Sequence, residues 1–137
     1  MAGKDIQARL TELNENEILL YLGYRGQKYP AEVEAQMKRC EKDVLAAAHP
    51  RLIWRRLPVN GELFSALALE GKDIKELLSG CREAVLMAVT LGPGVDKLLT
   101  RNSVSNMADA VIMDACASTA IENVADNFEM DLRREVE

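Results

Sequence analysis

A chain of 137 residues suits one domain with one core, and 48% hydrophobic with 28% charged residues is an ordinary globular mixture. A net charge of −5 repels phosphate backbones, so nucleic-acid binding is not expected. The longest apolar run, Ala84–Val89, is far short of a bilayer span, and Met1-Ala-Gly-Lys-Asp5 has no signal core, which predicts a cytoplasmic protein with no membrane partner.

Asn14 and Asn16 precede the apolar stretch Ile18–Leu22, and Gly23 follows it. Asparagine caps helix starts and glycine ends helices, so a short helix is expected there, followed by a loop through Pro30. Ala31–Ala48 carries Val33, Met37, Cys40, Val44 and Ala48 at three- and four-residue spacing, the pattern of an amphipathic helix. Glu34 and Lys38 stand in the favourable i,i+4 order. Pro50 ends the helix by excluding helical geometry from the residue before it.

Arg51–Leu57 holds Ile53 and Trp54 between Pro50 and Pro58 and reads as a strand. A turn is expected at Asn60-Gly61. Ala66–Leu69 reads as a second, short strand, and Asp73–Leu78 as a short helix ended by Ser79-Gly80. Ala84–Leu91 is apolar without alternation and stops at Gly92-Pro93-Gly94, the pattern of a strand buried on both faces. A helix starts near Val95, and a long alanine-rich helix runs from Ser105 to about Arg134. The expected fold is a single α/β (α+β) domain over 1–137, its helices packed on a small sheet.

Three features invite a functional reading. Thr90-Leu-Gly92-Pro-Gly94 is a strand end, a glycine turn and a helix start, where free N–H groups attract anions or carboxylates; a plain tight turn is the simpler reading. It lacks the spacing of a P-loop or a dinucleotide fingerprint. On the long helix Asp114, Ser118, Glu122 and Asp126 recur every four residues and share a face. A carboxylate on a helix that is apolar nearly all round calls for a partner: a cationic ligand group, solvent, or an ion pair with Arg101 or Arg133. Arg51, Arg55 and Arg56 suit an anion, or the solvent face of an edge strand.

The rest is negative. His49, the one histidine, sits at a helix end. No nucleophile–base order, no metal-ligand spacing and no self-contained active site is legible, so catalytic and metal-binding residues are expected to be none. Cys40, Cys81 and Cys116 read as free, buried thiols.

Four stretches, taken in order, carry a resemblance. They are Glu17-Ile-Leu-Leu-Tyr-Leu-Gly-Tyr-Arg-Gly-Gln27, Leu69-Glu-Gly-Lys-Asp-Ile-Lys-Glu-Leu-Leu-Ser-Gly-Cys81, Ala84-Val-Leu-Met-Ala-Val-Thr-Leu-Gly-Pro-Gly-Val-Asp96 and Ala110-Val-Ile-Met-Asp-Ala-Cys-Ala-Ser-Thr-Ala-Ile-Glu-Asn-Val-Ala-Asp126. Together they resemble the activation (reactivation) domain of vitamin B12-dependent methionine synthase, over about residues 15–130 and corresponding to its N-terminal half.

The resemblance implies an incomplete activation-domain fold that binds S-adenosylmethionine and presents it to a cobalamin carried by a partner methyltransferase domain or subunit. It further implies a flavodoxin-like electron donor and a positioning role, with the cofactors carrying the chemistry. Glu122 matches the family's glutamate near the S-adenosylmethionine site, and Asp114 is a second candidate on its face. The family's second half carries an Arg-x-x-Pro-Gly-Tyr-type motif that is not among these residues. This leaves an alternative expectation, a non-catalytic interaction or assembly domain, with self-association into a homo-oligomer through exposed apolar surface.

Overall fold

The structure is a computed structural model that describes residues 6–136. Six helices and a two-stranded antiparallel sheet follow in the order α1 (Glu15–Tyr21), α2 (Ala31–Ala47), β1 (Arg51–Pro58), α3 (Glu62–Ala66), α4 (Lys72–Leu77), β2 (Glu83–Thr90), α5 (Pro93–Ser105) and α6 (Met107–Val136). The α/β character is as expected. The chain divides into two compact units, one of Met1–Arg51 with Val89–Glu137 and one of Leu52–Ala88.

The first unit is helical. α1, α2 and α5 pack on α6, and α2 also packs on α5. α6 accepts so many neighbours because Ala110, Ala115, Ala117 and Ala120 keep its buried surface low, while Met113, Cys116, Val124 and Phe128 fill the spaces between. Into this surface α2 places Met37, Cys40 and Val44, the stripe its spacing predicts, and α1 places Ile18 and Leu19. Ile18, Met37, Val44 and Val124 are fully buried, each worth about 1.5–3 kcal/mol.

Local signals set the helix bounds. The Asn14 side chain accepts from the Asn16 N–H, which caps α1, and Gly23 leaves the helix at φ +89°. Glu34 and Lys38 form the expected ion pair on α2 at 3.3 Å. Asn106 ends α5 and starts α6, its side chain accepting from the Asp109 N–H at 3.1 Å. The segment before α1 is tied along α6: Asn123 accepts from the Thr11 N–H at 2.9 Å, Asn127 donates to the Arg9 carbonyl at 2.9 Å, and Arg9 meets Asp131 at 3.0 Å.

The second unit is a ribbon with α3 and α4 between its strands. Here two sequence expectations fail. Ala66–Leu69 is not a strand: α3 ends at Ala66, and Ala68 adopts φ +48°, a left-handed backbone that no extended strand can contain. β2 forms where expected but is not buried on either face. With one neighbouring strand, β2 leaves Val85, Leu86 and Met87 39%, 48% and 40% exposed. In this unit only Leu57 is buried. Among the described residues no helix is long and apolar enough to cross a membrane.

Candidate functional site

Glu122 lies on the exposed side of α6 in an open cleft of about 390 Å3, lined by Glu17, Leu20, Tyr21 and Glu122. α1 positions the other three residues. Glu17 and Tyr21 are four apart, so one face of that short helix carries both toward α6. The Tyr21 hydroxyl donates to Glu122 Oε1. This bond raises the Tyr21 phenol above its ordinary range, with burial and the charges of Glu122 and Glu17 acting the same way. Among the described residues Glu122 forms no ion pair, and Arg133 pairs instead with Glu129 at 2.7 Å. The result is an acidic patch, two carboxylates and a phenol beside a leucine, suited to a cationic ligand group.

A second cleft of about 570 Å3 adjoins this patch across Leu20. Asn16, Tyr24, Arg25, Gln27 and Tyr29 line it, and the Tyr24 and Tyr29 rings sit 5.6 Å apart in a tilted pair. Arg25, Gln27 and the backbone of the loop supply hydrogen-bonding groups, and the rings supply apolar surface. Together the clefts offer negative charge at one end and an aromatic, amide-rich surface at the other.

The remaining sequence candidates lie elsewhere. Asp114 is exposed two turns before Glu122, about 12 Å along the helix. Ser118 is half-buried and Asp126 exposed on the same face. Thr90 accepts from the Gly92 N–H at 3.0 Å, and the His49 N–H donates to the Leu91 carbonyl at 2.7 Å. A Cβ on Gly92 would sit 3.1 Å from the His49 carbonyl oxygen, and one on Gly94 would sit 2.7 Å from that of Ala47. Both glycines therefore let the end of α2 lie against the start of α5, and Gly92 in addition needs φ +89°. The Arg51, Arg55 and Arg56 side chains are on the exposed ribbon, where Arg56 Nε donates to Glu83 at 2.8 Å.

Sequence reasoning passed over Glu17 and Tyr21, although their i,i+4 spacing was a usable signal. It also passed over Asp109, which is buried at the start of α6 and accepts from Gln36 at 2.7 Å and Arg39 at 2.8 Å. That cluster ties α2 to α6. Cys40 and Cys116 are buried, and burial pushes their thiols up to about 11 and about 12; Cys81 is exposed, contrary to expectation. No cluster of metal-ligating side chains occurs among the described residues. Compared with known proteins, the chain matches no family and no curated sequence.

Proposed function

We propose that this chain is the N-terminal half of a reactivation module for a corrinoid-dependent methyltransferase such as methionine synthase, and that its α1–α6 cleft takes part in holding S-adenosylmethionine. The observation that carries the reading is Glu122: a carboxylate with no cationic partner among the described residues, held by a phenol and placed beside a second carboxylate. S-adenosylmethionine bears an ammonium and a sulfonium at one end and a purine at the other, the polarity that the paired clefts offer. The four ordered sequence stretches support the same reading, and the first of them contains Glu17, Tyr21, Tyr24, Arg25 and Gln27.

In this reading a cobalamin on a partner domain supplies the methyl-accepting metal, and a flavodoxin-like protein supplies the electron. The residues of this chain bind and orient. Glu122 attracts the cationic end, Tyr21 fixes the direction of its carboxylate, and Glu17 adds to the negative potential. Tyr24 and Tyr29 offer the purine a wall. Asp114 and the Thr90–Gly94 turn lie outside the two clefts.

Titration calorimetry with S-adenosylmethionine tests the proposal. Glu122→Gln keeps the shape and removes the charge. A charge-assisted bond at this exposed position belongs at the low end of about 1.5–3 kcal/mol, so affinity falls about tenfold. The melting temperature barely moves, because the amide oxygen still accepts from Tyr21. Unchanged affinity removes Glu122 from the site. A wild-type chain that gives no heat of binding favours the alternative, a non-catalytic interaction or assembly domain.

A further inference from the structure

The ribbon of the second unit has a sequence made for a covered strand. From Ala84 to Val89 β2 carries no charge and no proline, and its apolar residues point to both faces, Val85 and Met87 to one and Leu86 to the other. β1, its only neighbour, differs. Arg51, Arg55 and Arg56 line β1, and charged side chains on an edge discourage further pairing. The free edge of β2 has no such guard between Glu83 and Thr90. The ribbon thus has one protected edge and one open edge, and the open edge is the more apolar.

We propose that β2 pairs with β2 of a second copy of this chain, forming a four-stranded antiparallel sheet in the order β1-β2-β2-β1. The pattern of residues selects this occupant. Two identical strands related by a two-fold axis and running antiparallel must place one residue opposite itself. With Leu86 on the axis, Val85 faces the second copy's Met87, Ala84 faces its Ala88, and Glu83 faces its Val89. Every opposed pair is apolar, or carries a single charge, so no like charges meet. A parallel arrangement would set Glu83 directly against Glu83. The same register brings Leu86 beside Leu86 on one face and Val85 beside Met87 on the other, so these side chains, 39–48% exposed, gain apolar cross-strand neighbours.

The proposal is independent of any ligand, and its test reads mass. Sedimentation of the full chain over a range of concentrations is expected to show a monomer–dimer equilibrium. Leu86→Lys and Leu86→Glu, each at an exposed position, should fold normally and each weaken the dimer about tenfold or more by setting like charges face to face. An equimolar mixture of the two variants should dimerise again, because lysine then meets glutamate. Ile53→Lys, on the arginine-bearing strand and 74% exposed, should leave the dimer unchanged. A monomer at all concentrations, open-ended aggregates instead of a dimer, or a mixture that fails to restore pairing would each overturn the assignment.

Discussion

Replacing Gly94 by alanine should destabilise the chain, although alanine is the better helix former. Gly94 is the second residue of α5, and in a helix interior the exchange usually gains about 0.5–1 kcal/mol. Here the new methyl would lie 2.7 Å from the Ala47 carbonyl oxygen, a backbone atom that no side-chain rotation can move away. A relaxed carbon–oxygen contact is about 3.3 Å, so the start of α5 must retreat from the end of α2 by about 0.6 Å. Overpacking of this kind costs about 1–3 kcal/mol. After the helix gain is subtracted, up to about 2.5 kcal/mol of destabilisation remains, which lowers the melting temperature by up to about 9 °C in a domain of this size. Urea denaturation followed by circular dichroism measures it, with a lower midpoint and an unchanged slope expected. A Gly94→Ala chain as stable as the wild type, or more so, would refute the packing argument and return the glycine turn to consideration as a ligand loop.

Two further outcomes follow from the first unit. Asp109 has a side chain 6% exposed and Arg39 one 57% exposed, so removing the cation leaves a buried charge with only the neutral amide of Gln36, whereas removing the carboxylate leaves an arginine that can turn to water. Arg39→Met should therefore cost about 2–3 kcal/mol and Asp109→Asn about 1–2 kcal/mol in urea denaturation, and the reverse order would contradict this account. Cys40 and Cys116 are held above the ordinary thiol value of 9.0, at about 11 and about 12, chiefly by burial. Above pH 9 unfolding then releases protons, so stability is full below that pH and declines toward pH 11–12, by up to about 1.4 kcal/mol per pH unit for each thiol. Cys116→Ala should flatten the decline, and in the native chain a thiol reagent should label Cys81 alone.

The helices other than α3 were legible because their signals are local. Asn14, Pro30, Pro50 and Gly23 mark ends, and Met37, Cys40 and Val44 mark a face, without reference to any distant residue. β2 was legible as a strand but not in its burial, since an apolar run records what a strand is suited to and not how many neighbours it has. Ala66–Leu69 misled because four apolar residues fit a strand or a helix end equally, and a positive φ at an alanine leaves no mark in composition. At the site, spacing brought out Glu122 but not its companions. Which face of α1 meets α6 depends on Ile18 and Leu19 being drawn into the core, and that turns Glu17 and Tyr21 toward Glu122. Asp109 was invisible for a similar reason: Gln36 and Arg39 lie some seventy residues away.

The hydrogen bond from the His49 N–H to the Leu91 carbonyl fixes the gate through which the chain leaves the helical unit and returns to it. Everything between is an excursion whose ends are held together irrespective of its length. Chain entropy makes such an excursion tolerant, because doubling a loop costs only about 0.6 kcal/mol. Insertions near Asn60 or Ser79 would leave the gate untouched, as would a redesigned turn there. Selection can therefore lengthen, shorten or retune this part of the molecule without renegotiating the packing of α2 and α5 on α6.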